Sequence, residues 1–246
     1  MRVKLIVAYD GTRYHGWQLQ PGALTVEAVL NQELSGLLGE EISVIGASRT
    51  DAGVHSMGNV AVFDTDTRIP GDKISYALNQ RLPEDIVVQD SCEVPANFHP
   101  RHCPSRKTYE YRILNRRFKD PNRRHDTYFY HHRLDVEKMG EASVFLVGEH
   151  DFKSFCSVKT TVETTVRTVY GITVERQGDV ICIRITGSGF LYNMVRIIAG
   201  TLIQAGSGKI KPWEVKRILE GKDRGLAGPT APACGLTMIG IEYETI

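Results

Sequence analysis

Residues 42–64 read ISVIGASRTDAGVHSMGNVAVFD, a polar loop between two apolar segments. The first six and the last six of these residues are rich in Val, Ile and other apolar side chains, which predicts two short buried strands. The loop between them carries Asp51 two residues after Arg49, and Gly53 favours a tight turn. We therefore expect a strand–loop–strand unit that presents a carboxylate and a guanidinium close together.

The segments on either side extend this unit into a β-α-β-β-α-β order. Residues 2–9 alternate, with Val3, Leu5, Val7 and Tyr9 on one face, which predicts a strand. Thr25 can cap a helix whose apolar positions recur at helical spacing up to Leu38. A second helix is predicted over residues 72–80 and a strand over residues 85–94.

The second half of the chain predicts a similar order. The predicted elements, in chain order, are a strand at 107–114, a helix at 135–147 capped by Asp135, a strand hairpin at 165–176 and 179–186, a helix at 190–205, a short helix from Pro212 and a closing strand at 236–244. The two halves share a pattern of elements rather than an obvious sequence repeat.

These patterns predict an α+β fold of two ferredoxin-like (β-α-β-β-α-β) halves. We expect them to form an extended, mostly antiparallel sheet with helices packed on it and a central active-site cleft. The predicted domains are residues 1–104, which carry the Asp51 loop, and residues 105–246, which contain a basic insertion at 115–133. The Pro-, His- and Arg-rich segment 95–106 is predicted to link them.

Composition limits the functional classes. The chain has 246 residues, 41% of them hydrophobic, and no apolar run long enough to span a membrane. The first residues lack a secretory signal pattern, so we expect a soluble, cytoplasmic protein. The five cysteines include no CxxC pair, and His99, His102 and Cys103 have no second ligand pair, so we expect no metal site. No sequence motif of a nucleotide or flavin cofactor occurs, so no cofactor is expected.

Charge is unevenly distributed although the formal net charge is only +1. Between residues 101 and 133 there are ten Lys or Arg against three acids, so this stretch is +7 and the rest of the chain is −6. Histidines and aromatic residues are interleaved with these cations, a composition suited to phosphates and bases but also to a solvated charged loop. We expect phosphate contacts from four of the arginines: Arg116, Arg117, Arg123 and Arg124.

Several motifs resemble those of the tRNA pseudouridine synthase A family. Ser48–His55, SRTDAGVH, is similar to the family's contiguous G-R-T-D-A-G-V-H signature. Further matching blocks lie along the whole chain: Tyr9–Thr12 with Gly16–Gln18, Leu78-Asn79 with Leu82-Pro83 and Asp85-Ile86, Gly148–Phe152, Gly189–Arg196 and Ala227–Pro232. The chain departs from the family pattern at Ser48, which replaces a glycine, and at Pro100 and His102 around Arg101.

The resemblance implies an isomerase that converts uridine to pseudouridine at positions 38, 39 and 40 of the tRNA anticodon stem-loop. It implies Asp51 as the reacting carboxylate, with Arg49 and Arg196 beside it, and tRNA bound by a homodimer. Tyr109 and Leu236 would contact the base, and Arg101 is a further substrate-binding candidate. Whether Asp51 adds to the substrate or removes a ribose proton stays open.

Two other functional classes are weighed against this one. A non-catalytic RNA-binding module with a ferredoxin-like sheet would carry aromatic RNP motifs, which this sequence lacks. A hydrolase that acts on RNA would normally use a metal cluster or a second paired acid, and the sequence suggests neither.

Overall fold

The structure is a computed structural model that describes residues 1–157 and 162–244. The chain divides into two compact units, of which the first comprises Met1–Ser105 together with the closing residues from Met238 onward. The second comprises Arg106–Thr237. The sequence-based division assigned all residues after 104 to the second half, so the last strand is the point of difference. The described residues contain strands and five α-helices, and the strands pair mostly antiparallel, which confirms the α+β class.

The first unit contains six elements in the predicted order: β1 (Arg2–Tyr9), α1 (Val26–Leu38), β2 (Ile45–Gly46), β3 (His55–Asp64), α2 (Ile74–Asn79) and β4 (Ile86–Val94). Strand β1 pairs antiparallel with both β3 and β4, and β2 pairs antiparallel with β3. The resulting order is β4-β1-β3-β2. Strand β3 lies between β1 and β2, which α1 connects, and β1 lies between β3 and β4, which α2 connects. This is the split arrangement of a ferredoxin-like unit.

The core of the first unit follows from the alternation in β1. Val3, Leu5, Val7 and Tyr9 are all buried, as the sequence predicts, while the residues between them are only partly buried. Helix α1 packs on this face through Val26, Leu30 and Leu34. Thr25 caps the helix by accepting from the Ala28 amide at 3.3 Å, which confirms the predicted helix start.

The second unit contains eight elements: β5 (Ser105–Leu114), β6 (Tyr128–Phe129), α3 (Val136–Ser143), β7 (Gly148–Asp151), β8 (Val166–Gln177), β9 (Val180–Gly187), α4 (Met194–Gly206) and α5 (Glu214–Gly221). Its sheet has the order β5-β9-β8-β7, with antiparallel neighbours, and β6 pairs parallel with β5. The closing strand β10 (Leu236–Tyr243) lies beside β3 in the first unit from Met238 onward.

Some elements of the second unit differ from the sequence prediction, and α3 ends at Ser143 rather than at residue 147. Strands β6 and β7 are two and four residues long, too short to give a recognisable alternation. Helix α4 begins at Met194 rather than at residue 190, because Asn193 has a left-handed φ of 62° and cannot lie inside a right-handed helix.

Within the described residues, no helix has the length and apolarity that crossing a membrane would need.

Candidate active site

Strand β3 fixes the first part of the polar loop that follows β2. The Ala47 amide donates to the Val60 carbonyl oxygen at 2.7 Å. The fully buried Asn59 side chain donates from Nδ2 to the Ser48 carbonyl oxygen at 2.9 Å. Because both partners belong to a central strand of the sheet, the path of the loop as it leaves β2 is set by the sheet itself.

The last residue of β1 and the residues that follow it fix the second part of the loop from its other side. The hydroxyl groups of Tyr9 and Thr50 are 2.8 Å apart and both side chains are buried. The Trp17 amide donates to the Thr50 carbonyl oxygen at 3.1 Å, and the Gly53 amide donates to the Tyr14 carbonyl oxygen at 3.2 Å. Burial raises the pKa of Tyr9 well above its ordinary range, so this hydroxyl stays protonated and available for the contact.

Two glycines make this close packing possible. A Cβ atom on Gly11 would lie 2.0 Å from the Val54 carbonyl oxygen, and one on Gly16 would lie 2.3 Å from the Thr50 carbonyl oxygen. Gly16 also has a positive φ of 88°, which other residues rarely adopt. A side chain at either glycine would therefore displace the loop that carries Asp51.

Side chains alternate along the loop between inward and outward directions. Ser48 and Thr50 are buried, whereas Arg49 is exposed and Asp51 is partly exposed. The Val54 amide then donates to the Asp51 carbonyl oxygen at 3.1 Å, closing a turn in which Gly53 has a φ of 77°. A positive φ at the third position is the signature of a type II turn. The loop thus holds the two predicted catalytic residues of this unit at its surface.

His55 connects the end of the loop to the segment after β1. Its Nδ1 accepts from the Gly11 amide at 3.1 Å and lies 3.1 Å from Oδ1 of Asp10. The same Asp10 oxygen accepts from the Thr12 amide at 2.9 Å and from the Thr12 hydroxyl at 2.6 Å. The sequence motifs at 9–12 and 16–18 therefore support the Asp51 loop.

Arg101, which the sequence predicts to bind substrate, contacts Gly46, the last residue of β2 before the loop. Its Nε donates to the Gly46 carbonyl oxygen at 2.7 Å. A Cβ atom on Gly46 would lie 2.1 Å from Nε1 of the fully buried Trp17, so this backbone position is fixed from both sides. Sequence patterns do not predict this contact, because the two residues are 55 positions apart.

In the second unit, Arg196 lies in the first turn of α4, and its guanidinium donates to a backbone carbonyl and to a side-chain amide of the same unit. Nε donates to the Ala231 carbonyl oxygen at 2.7 Å, and Nη1 donates to Oδ1 of Asn193 at 2.9 Å. The Ala231 amide in turn donates to the Arg196 carbonyl oxygen at 3.1 Å. The orientation of this cation is therefore set by α4 and by the segment around Ala231.

That segment packs directly on α4 because two glycines meet there. A Cβ atom on Gly200 would lie 1.8 Å from the Pro229 carbonyl oxygen, and one on Gly228 would lie 2.7 Å from Cα of Thr201. The Gly228 amide also donates to the buried Thr201 hydroxyl at 2.9 Å. The matching blocks at 189–196 and 227–232 thus form one packed structure around Arg196.

Tyr109 lies on β5, paired with Ile185 of β9, and is almost fully buried. Its ring packs edge-to-face on Phe190 with centroids 5.2 Å apart. Leu236 is also buried, where the chain enters β10. The neighbouring Tyr111 donates its hydroxyl to the Pro232 carbonyl oxygen at 2.9 Å, which ties β5 to the segment before Leu236.

The predicted site residues are thus distributed over both units. The first unit holds Arg49 and Asp51 on the loop and Arg101 against Gly46 at the end of β2. The second unit holds Tyr109, Arg196 and Leu236. Across residues 1–157 and 162–244, no three His, Cys, Asp or Glu side chains are grouped so that they could hold a metal ion.

Comparison with known proteins identifies the family. The family model described as tRNA pseudouridine synthase matches residues 5–102 and 142–244. The chain is 48% identical over 241 residues to tRNA pseudouridine synthase A of Acetivibrio thermocellus, covering 98% of this chain and 99% of that protein. It is 46% identical over 246 residues to the protein of the same name from Bacillus subtilis, covering 99% of this chain and all of that one. These matches extend over nearly the whole chain, and it belongs to the tRNA pseudouridine synthase family.

Proposed function

We propose that this chain isomerises the uridines at positions 38, 39 and 40 of the tRNA anticodon stem-loop, with Asp51 as the reacting carboxylate. The family makes it an isomerase that converts uridine in tRNA to pseudouridine. The observation that carries the assignment of Asp51 is its position on a loop bonded to β3, to the segment after β1 and to Arg101. Such a fixed loop holds a reacting group in one geometry, which is a main source of enzymatic rate.

Pseudouridine formation exchanges one bond for another within the same nucleotide. The N1–C1′ bond of uridine breaks, the base turns, C5 bonds to C1′, the C5 proton leaves and N1 gains a proton. Atoms and electrons balance without an external oxidant or reductant. A carboxylate serves either by adding to the substrate or by taking a proton from the ribose once the glycosidic bond has broken, and Asp51 suits both roles.

The remaining predicted residues have roles that fit their surroundings. Arg196 is a cation oriented by the Ala231 carbonyl oxygen and the Asn193 side chain, so it can favour a negative charge in the substrate or on a reacting group. Arg49, exposed on the loop, is suited to a backbone phosphate next to the target uridine. Tyr109 offers a ring held by Phe190 and Leu236 an apolar wall for the extruded base. The bond from Arg101 to the Gly46 carbonyl oxygen supports a positioning role for this residue, alongside the substrate contact expected from sequence.

The test is an assay for pseudouridine in unmodified tRNA transcripts, with EDTA present and no nucleotide added. Pseudouridine at positions 38–40, located by a chemical probe that blocks reverse transcription, is the expected result. An RNA-binding module would bind the transcript without changing it, and a hydrolase would shorten it. Pseudouridine confined to other positions would refute the proposed target.

We further propose a homodimer that acts in the cytoplasm and binds one tRNA across both subunits. Light scattering during size-exclusion chromatography should give twice the mass of one chain. A titration of the Asp51→Asn variant with tRNA should saturate at one tRNA for two chains. A monomer at micromolar concentration, or two tRNA molecules for two chains, would contradict this arrangement.

A further inference from the structure

A buried asparagine organises the basic segment where it returns to the sheet of the second unit. Asn115 follows β5 directly and is 8% exposed. Its Nδ2 donates to the carbonyl oxygens of Tyr130 at 2.8 Å and His132 at 2.7 Å. Its Oδ1 accepts from the Leu134 amide at 3.2 Å and from Nη2 of Arg176 at 2.9 Å. All four hydrogen-bonding positions of the amide are therefore occupied.

This arrangement orients Arg176 without neutralising it. Nη2 of Arg176 donates to the Asn115 oxygen and, at 3.1 Å, to the Leu134 carbonyl oxygen. Both acceptors are uncharged, so these two bonds do not compensate the positive charge of the guanidinium. Its planar fork has further donors that can meet a phosphate. A cation held in this way loses little conformational freedom when it binds an anion.

Arg176 lines an open cleft of about 990 Å³ in the second unit. The other cationic or titratable basic side chains in its lining are Arg116, Arg117, His131 and Arg133. Two acids, Asp135 and Glu137, also line it, so the four arginines leave a net positive charge. The cleft is large enough for several groups of a nucleic-acid backbone rather than one small ion.

Ion pairs compensate one acid that lines the cleft, Asp135, and one of its arginines, Arg116. Asp135 lies 3.1 Å from Nζ of Lys138 and caps α3, while Asp179 lies 3.3 Å from Nη1 of Arg116. Arg133, by contrast, has no ion pair within the part of the chain that the structure describes. The cleft thus offers oriented and uncompensated positive charge, the property that attracts phosphodiesters.

The cleft is remote from the proposed site of reaction. Gly206, which lines it, ends α4, whereas Arg196 lies in the first turn of the same helix. Ten residues of α-helix at 1.5 Å each separate them by roughly 15 Å. A nucleotide in contact with this cleft is therefore not the nucleotide that reacts.

We propose that this cleft binds the sugar–phosphate backbone of tRNA at a distance from the target uridine. The inference rests on the proposed function for the identity of the RNA, and on Arg133 and Arg176 for the contact. It also divides the four arginines that the sequence predicts to contact phosphate into two that line the cleft and two that do not. Arg116 and Arg117 line the cleft, whereas Arg123 and Arg124 belong to a 3-10 turn that does not contribute to its lining.

Two double variants with the same loss of charge test the proposal. Arg133→Gln/Arg176→Gln removes two cations from the cleft, and Arg123→Gln/Arg124→Gln removes two from the neighbouring turn. Binding of an unmodified tRNA transcript is measured from 50 to 300 mM salt. Each phosphate contact contributes about 0.7–0.9 to the slope of log affinity against log salt, so the cleft variant should lose roughly 1.5 units and the turn variant less than about 0.5.

Two further variants separate charge from folding. Arg133→Lys/Arg176→Lys should keep most of the slope, because the charges remain. Arg117→Gln/Arg133→Gln leaves the bonds of Arg176 intact and should still lower the slope. When single-turnover conversion is followed against tRNA concentration, the half-saturating concentration should rise for both Gln variants of the cleft, whereas a variant that fails to fold would lose conversion at every concentration. A cleft variant that binds with the wild-type slope, or loses no more than the turn variant, overturns the inference.

The outcomes distinguish this inference from the proposed function. If the wild-type chain makes pseudouridine but the cleft variants keep its salt slope, only the cleft assignment fails. If the wild-type chain makes none and the slope still depends on Arg133 and Arg176, the proposed function fails and the cleft stands as a nucleic-acid site.

Discussion

Nη1 of Arg196 donates to Oδ1 of Asn193 at 2.9 Å, and Asn193 has a left-handed φ of 62°. Asn193 occupies the N-cap position of α4 but makes no side-chain capping bond. Its amide oxygen is directed to the arginine one turn along. A left-handed backbone costs a non-glycine residue about 1 kcal/mol or more, and Asn tolerates it better than most. This placement favours a role in which Asn193 orients Arg196.

Two substitutions separate the oxygen of Asn193 from its backbone conformation. Asn193→Gly keeps the left-handed φ and removes the acceptor, and we expect turnover to fall on the order of 10-fold with little change in KM. Asn193→Asp keeps an acceptor and should stay close to wild type. Pre-steady-state measurement of pseudouridine formation checks both. Equal turnover in the Gly variant and in wild type would remove Asn193 from any positioning role.

Asp51→Asn is the direct test of the reacting carboxylate. The amide has nearly the same shape, so the turn closed by Val54 should persist while the carboxylate chemistry is lost. We expect no detectable pseudouridine and tRNA binding within about 1 kcal/mol of wild type. Mass spectrometry of digested tRNA and a binding titration measure the two quantities. Turnover comparable to wild type would end the assignment.

Arg49 and Arg196 should differ in how their loss affects the reaction. Arg196→Gln should lower turnover by on the order of 10²-fold, because the proposed function assigns this oriented cation to the stabilisation of charge during the reaction. Arg49→Gln should lower it by a similar order if Arg49 supports Asp51. It should instead raise KM and lower the salt slope by about one unit if the exposed side chain binds phosphate. Normal kinetics in either variant would exclude that residue from the site.

Arg101→Lys distinguishes loop support from substrate binding. Lysine keeps the positive charge but cannot reproduce the planar Nε donor that contacts the Gly46 carbonyl oxygen. If the contact supports the loop, turnover should fall several-fold at an unchanged KM, and unfolding free energy should drop by about 1 kcal/mol. A rise in KM alone, with unchanged stability, would instead favour the substrate contact inferred from sequence.

Local pattern was sufficient for much of the fold and for the position of Asp51. Alternation in β1 and the cap at Thr25 depend on neighbouring residues, and the structure confirms both. The contact of Arg101 with Gly46 and the four bonds of Asn115 join residues distant in sequence. Hydrophobic periodicity does not predict contacts between residues so far apart in sequence. The sequence therefore indicates Arg101 as a site residue but does not predict its bond to Gly46.

The packing of α4 supplies a test in which stability and function are measured together. A Cβ atom on Gly200 would lie 1.8 Å from the Pro229 carbonyl oxygen, too close for the backbone to remain in place. We therefore expect Gly200→Ala to destabilise the protein by about 1–3 kcal/mol. Because Ala231, two residues further on, accepts from Nε of Arg196, the folded fraction should also lose turnover.

Gly140 in α3 provides the matched control. A Cβ atom there meets nothing within 4 Å, and the residue lies inside a helix, so Gly140→Ala should stabilise the protein by up to about 1 kcal/mol through helix propensity alone. Its turnover should equal that of wild type. Chemical denaturation measures stability and a single-turnover assay measures the reaction. If the close contact between α4 and Pro229 holds Arg196 in place, Gly200→Ala should lower stability and Gly140→Ala should raise it. Only Gly200→Ala should lose turnover. A Gly200→Ala protein as stable and active as the control would show that Arg196 does not depend on that contact.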